Sequence, residues 1–230
     1  MKTTRPMSLT LRVLARLLSY PDAALRAHLG ELRQALRSEA ALQPARLAEV
    51  EALIDSVAAR SAIDAEADYV QLFDSGRRTS LHLFEHVHGD SRDRGPAMID
   101  LAQTFEAAGL YLAEGEMPDH LPVLLEYAST QPPREAKAFL AEMAHIFNVI
   151  FSALDKRRSR YASVLGALIE LAGEACAPVN VPDELPLDES WAEPAAFDGC
   201  SSAGQSRPGQ PQPIHIQRKS PGTAATGARP

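Results

Sequence analysis

Apolar residues recur every three or four positions along most of the chain, and short polar or proline-containing breaks separate these stripes. The first stripe, residues 9–17, ends before Pro21, and Asp22 is the expected N-cap of the next helix, with its stripe over residues 25–36. Such spacing predicts amphipathic α-helices. Further helices are expected to begin near Pro44, Asp64, Arg77, Pro96, Asp119, Pro133 and Tyr161.

The pattern predicts an all-α protein with about nine helices in a compact bundle. No segment has the alternation expected of a strand, and no internal repeat is visible. We expect residues 1–177 to form the helical domain, with the longest helix after Pro132-Pro133.

Composition changes after residue 177. Nine of the 17 prolines lie in residues 178–230, where an acidic stretch is followed by Pro, Gly, Ser and Gln. Such a segment buries too little apolar surface to offset its ordering entropy. Residues 178–230 are therefore predicted to be a disordered tail.

Charge and cysteine content restrict the function. The net charge of -7 gives no nucleic-acid footprint, and two cysteines, Cys176 and Cys200, are too few for a disulfide framework. No apolar run reaches the ~18 residues of a membrane span, and Arg12 and Arg16 interrupt the N-terminal stripe. These features predict a cytoplasmic protein that does not insert into membranes; they leave its oligomeric state open.

Residues 79–95 depart most from a plain helix. They contain His82-Leu83-Phe84-Glu85-His86, which matches the H-x-x-E-H pattern of inverted zinc peptidases. On one helix, His82 and His86 would share a face, and Glu85 would act as general base. A zinc site needs a third ligand, and none is evident in the sequence. We therefore expect no metal or other cofactor, and we keep a zinc-dependent hydrolase only as the alternative function.

A second polar segment, residues 116–122, reads Glu116-Met117-Pro118-Asp119-His120-Leu121-Pro122. Asp119 is the expected N-cap of the following helix, bonding the amide of Leu121, because Pro122 has no N–H. His120 would then lie in the first helical turn, where the dipole favours its neutral form.

The surrounding charges are one-sided. No Lys or Arg lies between Arg94 and Arg134, whereas six acidic residues do: Asp100, Glu106, Glu114, Glu116, Asp119 and Glu126. This interval is a candidate acidic surface for a basic partner.

Taken together, residues 69–77, 80–95 and 118–122 resemble the NarJ-type nitrate reductase assembly chaperones, also called the nitrate reductase delta subunit family, which is related to the TorD-like redox-enzyme maturation chaperones. The resemblance spans roughly residues 8–175. It implies a non-catalytic chaperone with a TorD-like helical fold. Such a chaperone binds the apo catalytic alpha subunit of respiratory nitrate reductase, in part through that subunit's N-terminal segment, until the molybdenum cofactor is inserted. It is absent from the final enzyme.

The resemblance associates Pro118, Asp119 and His120 with client binding. From the acidic interval we add Glu116 as a rim carboxylate, and Tyr111, Leu121 and Leu125 as the lining of a groove for a basic amphipathic peptide. The family pattern also covers a set that we expect to form a structural polar corner: Glu85, His86, His88, Arg92, Asp93 and Arg94. Within it Glu85, His86, Arg92 and Asp93 are predicted to bond one another. His82 is left out of this corner. A plain helical adaptor remains a third reading of the chain.

Overall fold

The structure, a computed structural model, describes residues 5–89, 91–177 and 179. The chain divides into one unit, Met1–Glu184, and a second, Leu185–Pro230, which lies outside the described residues. The predicted disordered tail, residues 178–230, also lies outside them apart from Val179, so the boundary after residue 177 stays a prediction.

Ten α-helices make up the architecture of the described residues, one more than expected, and no strand occurs among them. Their bounds are α1 Ser8–Leu17, α2 Ala23–Ala27, α3 Leu29–Glu39, α4 Pro44–Ala59, α5 Ala62–Phe73, α6 Leu83–Val87, α7 Arg94–Ala107, α8 Leu121–Thr130, α9 Pro133–Lys156 and α10 Ala162–Ala172. The all-α prediction is confirmed.

Helix α10 is the centre of the bundle. Every residue of this helix except Glu170 is buried, because its sequence is apolar on all sides. It packs against α9 and α4, while α1 packs against α8 and α3. The hydroxyl of Tyr69 donates to the carbonyl of Leu18 at 2.7 Å and so ties α5 to the end of α1.

The predicted longest helix is α9, with 24 residues. By length and composition alone it could cross a membrane. Its apolar residues instead form one face that packs against α8 and α10, with Phe147, Ile150 and Leu154 fully buried. That is also how the core helix of a bundle looks.

Several predicted helix starts are confirmed. The Leu25 amide donates to Asp22 at 2.7 Å, Pro44 is the first residue of α4, and Pro133 is the first residue of α9. Each start follows from local chemistry. The Asp22 carboxylate accepts a hydrogen bond from an otherwise unpaired amide of the first turn, and a proline at the first helical position lacks an N–H that would have no partner there.

Three helix boundaries were predicted wrongly. The 25–36 stripe belongs to two helices that meet at His28, and α5 is capped by Ser61, not opened by Asp64. The helix expected to begin near Arg77 is only α6, Leu83–Val87. Its start is fixed by contacts with residues 119–121, which are distant in sequence.

The core position of Leu125 gives a stability prediction. Leu125 is fully buried, whereas Leu9 is 45% exposed. Leu125→Ala should lower the free energy of unfolding by about 2–5 kcal/mol because it leaves a cavity, as buried Leu→Ala changes do. Urea denaturation checks this, with Leu9→Ala as the matched control, expected to cost well under half as much. Equal losses in the two variants would contradict the assigned core.

Candidate functional site

The two polar segments singled out in the sequence meet in the fold. The amide of Leu83 donates to the carbonyl of Asp119 at 3.0 Å, and the amide of Leu121 donates to the carbonyl of Leu81 at 2.8 Å. His82 and His120 thereby form an isolated antiparallel bridge, the only β-type pairing within the described part of the chain. Two segments 37 residues apart are thus joined through their backbones.

The carboxylate of Asp119 is fully buried at this junction. It accepts a hydrogen bond from the Phe84 amide at 3.2 Å, lies 3.2 Å from Nδ1 of His82, and lies 3.7 Å from a guanidinium nitrogen of Arg94. Arg94 also lies 3.5 Å from Glu85. We call His82, Glu85, Arg94, Asp119 and His120 the Asp119 cluster.

Asp119 therefore caps a helix, but not the one expected. Its side chain accepts the amide of the second residue of α6, and its carbonyl accepts the amide of the first. The predicted N-cap role for α8 is wrong, since α8 begins at Leu121 with His120 at the N-cap position and no side-chain cap. The Leu121 amide bonds the Leu81 carbonyl, so it is satisfied from across the junction.

The pKa values of the two histidines of the cluster are shifted in opposite directions. Their rings stack with centroids 5.0 Å apart. The hydrogen bond to Asp119 raises the pKa of His82 above its usual value, with further help from the charges of Asp119 and Glu85. Burial lowers the pKa of His120, and the neighbouring His82 lowers it further. The raised pKa of His82 favours its ion pair with the buried carboxylate, and the lowered pKa of His120 disfavours a second adjacent cation.

The predicted polar corner is only partly formed. Glu85 does contact Arg94, but Nε2 of His86 lies 2.9 Å from the carbonyl of Ser80, which it can reach as a donor. The carboxylate of Asp93 accepts the Ser91 hydroxyl. Mutual bonding of Glu85, His86, Arg92 and Asp93 is therefore wrong.

His88 and Arg92 also belong to the predicted corner. His88 packs edge-on against Phe84, with ring centroids 5.3 Å apart, and Arg92 is exposed. Neither side chain is therefore a partner of the buried Asp119 carboxylate.

The zinc alternative lacks the expected geometry. His82 precedes α6, so it does not share a helix face with His86, and the two rings bond Asp119 and the Ser80 carbonyl respectively. Within residues 5–89, 91–177 and 179, no group of three or more His, Cys, Asp or Glu side chains is placed to hold a metal ion.

The predicted client-binding residues divide into buried and exposed sets. Leu121 and Leu125 are fully buried in the core. Their assignment to the lining of an open groove is therefore wrong for this conformation. Pro118 and Asp119 are buried as well, and His120 is half-buried.

The exposed set lies in the connection between α7 and α8. Tyr111 is 81% exposed, and Glu116 is exposed at the end of a turn in which its carboxylate accepts the Ala113 amide. Met117, which sequence reasoning did not single out, is 42% exposed beside Pro118. Of the six acidic residues between Arg94 and Arg134, all but Asp119 are exposed.

His82 is the residue that sequence reasoning missed at the cluster. It is predicted only as a zinc ligand and is left out of the polar corner, yet it is a direct partner of the buried carboxylate. No local signal identifies this pairing, because the two residues meet only through the tertiary fold. Met117 had a weak signal, a large apolar side chain in an otherwise polar turn.

Comparison with known proteins settles the family. The sequence profile of the family described as nitrate reductase delta subunit matches residues 20–165. The chain belongs to the nitrate reductase delta subunit family. Residues of the Asp119 cluster lie inside the matched range, so the resemblance seen in residues 69–122 extends over most of the helical bundle.

Individual relatives agree with this assignment. The chain is 40% identical over 186 residues to the nitrate reductase molybdenum cofactor assembly chaperone NarJ of Escherichia coli K12, covering 81% of this chain and 79% of the relative. A NarJ of Bacillus subtilis is 31% identical over 169 residues, which are 72% of this chain and 89% of that protein.

A solved structure supports the fold. A redox enzyme maturation protein from Archaeoglobus fulgidus superposes with a TM-score of 0.54 at 19% identity. The match covers 73% of this chain and 94% of the other. At this identity the likeness concerns the fold alone.

The burial of Asp119 predicts a structural effect of its removal. Asp119→Ala should lower the free energy of unfolding by about 2–3 kcal/mol, because the Phe84 amide loses its acceptor and Arg94 and His82 lose a buried partner. Asp119→Asn keeps one acceptor oxygen and should cost less. Urea denaturation checks both, with exposed Glu116→Gln as the control, expected within about 0.5 kcal/mol of the unchanged protein. A fully stable Asp119→Ala variant would overturn the capping role.

The raised pKa of His82 predicts a pH-dependent contribution to stability. A histidine whose pKa is higher in the folded state than in the unfolded state stabilises the folded protein. This stabilisation is complete below the unfolded-state pKa of about 6.5 and is lost as the pH rises through the folded-state pKa. His82→Gln should therefore lower the free energy of unfolding more at pH 6 than at pH 8.5.

Urea denaturation at the two pH values measures this difference. The control is His28→Gln, at an exposed histidine that lies outside the cluster. A His82→Gln effect that is the same at both pH values would show that the ion pair with Asp119 does not form.

Proposed function

We propose that this protein is a client-specific chaperone for the assembly of respiratory nitrate reductase. In this proposal it binds the apo catalytic alpha subunit, including its N-terminal segment, and keeps it ready to receive the molybdenum cofactor. It leaves before the final enzyme is complete and acts in the cytoplasm as an assembly factor, without catalysing a reaction. The observation that carries the proposal is the 40% identity, over 81% of the chain, to a relative named for this task.

The proposed client surface consists of Tyr111, Glu116, Met117 and the exposed edge of His120. Tyr111 and Met117 are two large apolar side chains that are exposed in one connecting segment, and exposed apolar groups that form a patch mark interaction sites. Aromatic and methionine side chains are also enriched where proteins bind one another. These properties favour an apolar contact at this connection.

Charge complements this apolar contact. Glu116 lies close enough to His120 to influence its pKa, and the other exposed acids of the 95–133 interval carry no nearby Lys or Arg in the sequence. A basic amphipathic segment would place its apolar side on Tyr111 and Met117 and its cations towards these carboxylates.

In this account the Pro118-Asp119-His120 segment acts mainly by positioning the surface. Asp119 is buried, so its carboxylate cannot bond a client in this conformation. By capping α6 it fixes the backbone that presents Glu116 and Met117 immediately before it. The zinc hydrolase has no comparable support, since its two histidines bond other groups.

Calorimetry with a synthetic peptide of the client's N-terminal segment tests the surface. Tyr111→Ala should raise Kd about tenfold, as loss of an exposed aromatic contact residue does. Glu116→Gln should raise Kd less and reduce its dependence on salt. Matched controls are Ile63→Ala, at a 78% exposed apolar residue of α5, and Glu31→Gln on α3. Equal effects in variants and controls would reject the surface.

A second experiment tests the function itself. The full chain, captured from anaerobic cells grown on nitrate, should copurify the catalytic subunit without its cofactor. Failure to recover that subunit, with recovery of an unrelated protein instead, would favour a plain helical adaptor.

A further inference from the structure

A cavity of about 650 Å³ lies away from the Asp119 cluster, between α4, α5 and the connection from α9 to α10. The cavity is of the size that proteins use for small ligands, which is about 300–1,000 Å³. It includes none of the residues assigned to the proposed client surface. Its role therefore requires a separate explanation.

The walls of the cavity are strongly cationic. Four arginines line it, and Asp68 is the one carboxylate among the lining residues. Asp68 pairs with Arg60, the C-cap residue of α4. The lining thus has a formal charge of +3 in a chain of net charge -7. The other three arginines, Arg157, Arg158 and Arg160, come from the connection between α9 and α10.

The backbone of this connection is unusual at Arg158. Its φ of 52° lies in the left-handed region, where Gly or Asn is favoured after a helix. The turn is held by hydrogen bonds from the Arg158 amide to the Asp155 carbonyl at 2.8 Å and from the Ser159 amide to the Leu154 carbonyl at 3.0 Å. These two hydrogen bonds form the Schellman pattern of a helix C-terminus, so the end of α9 itself accounts for the left-handed residue. The presence of arginine in place of glycine at this position adds a cation to the lining of the cavity.

The position of the cations also exceeds what helix stability needs. Cations in the last turn of a helix interact favourably with its dipole, which accounts for Lys156 at the end of α9. The same explanation extends to Arg60 and Arg158, which lie at the C-terminal ends of α4 and α9, but not to Arg160, which lies farther from the end of α9. Three segments thus contribute charged residues to one cavity: the end of α4 with Arg60, α5 with its partner Asp68, and the connection from α9 to α10.

The floor of the cavity is apolar. Leu53 and Val57 are buried there, and the half-buried ring of Tyr161 packs edge-on against Phe73. Burial raises the pKa of Tyr161 to about 12. A ligand here meets both apolar side chains and cationic or hydroxyl-bearing ones.

We propose that this cavity binds a phosphate-bearing heterocycle of nucleotide size. The guanidinium groups of Arg158, Arg160 and Arg60 bind the phosphate oxygens, a geometry for which arginine is suited. The hydroxyl of Ser56, which also lines the cavity, supplies a further donor. The heterocycle lies against Tyr161 and the aliphatic floor. The proposal is independent of the client surface, since the two sites share no residue.

Calorimetry on the purified full chain tests the site with three probes: adenosine diphosphate, pyrophosphate and adenosine. Adenosine diphosphate should bind, pyrophosphate should bind more weakly, and adenosine at least tenfold more weakly than adenosine diphosphate. No measurable binding of the two phosphate probes, or equal binding of adenosine, would overturn the proposal. Stronger binding of poly-glutamate or of an oligonucleotide than of adenosine diphosphate would also overturn it, since the site would then serve a macromolecule.

Variants separate a binding role from a structural one. Arg158→Gln with Arg160→Gln should raise the Kd for adenosine diphosphate at least tenfold. The matched control is Arg134→Gln with Lys137→Gln, two exposed residues at the other end of α9, with the same change in charge. Equal weakening by both pairs would reduce the effect to net charge and reject the site.

A single change at Arg158 gives the sharpest contrast. Arg158→Gly relieves the left-handed backbone and should raise Tm while it weakens binding of adenosine diphosphate several-fold. A variant that is more stable and binds as before would show that the Arg158 side chain does not reach the ligand. Thermal unfolding and calorimetry on the same sample supply both readouts.

Discussion

A carboxylate with no exposure to solvent is the constraint around which this bundle's polar region is arranged. Asp119 must obtain from the protein the hydrogen bonds and positive charge that water would otherwise provide. The Phe84 amide, His82 and Arg94 supply them, and they come from the two ends of the segment that includes α6. Meeting the needs of one side chain therefore fixes where α6 begins and holds the start of α7 close to the segment that precedes α8.

This arrangement separates two roles that a sequence motif merges. Pro118-Asp119-His120 is recognisable as a segment, but its members have different environments: two are buried and one is half-buried. The exposed residues available to a partner are Tyr111, Glu116 and Met117, which lie in the connection before it. Under the proposed function, the buried members hold the exposed ones in place. A change in Asp119 would then reduce client binding through the geometry of the surface.

The sequence predicts well those features that depend on local chemistry. The 3.6-residue periodicity, Asp22 as a cap and Pro44 and Pro133 at helix starts all act within a few residues, so their effects are visible in one stretch of chain. The start of α6 and the partners of Asp119 depend on a contact across 37 residues, and nothing near either residue announces it. Leu121 and Leu125 failed as groove residues for a related reason. An apolar stripe shows that a helix face is covered, but not whether the core or a partner covers it.

If Asp119 positions the client surface from within, it must stay bound in its cluster while the client occupies the neighbouring surface. Amide hydrogen exchange at Phe84, measured with and without the client's N-terminal peptide at saturating concentration, tests this directly, because that amide donates to the Asp119 carboxylate. We expect Phe84 to remain protected in the complex, and the residues that gain protection to be those around Tyr111, Glu116 and Met117. Loss of protection at Phe84 when the peptide binds would mean that Asp119 leaves α6 to contact the client, and would rule out a purely positioning role for Asp119.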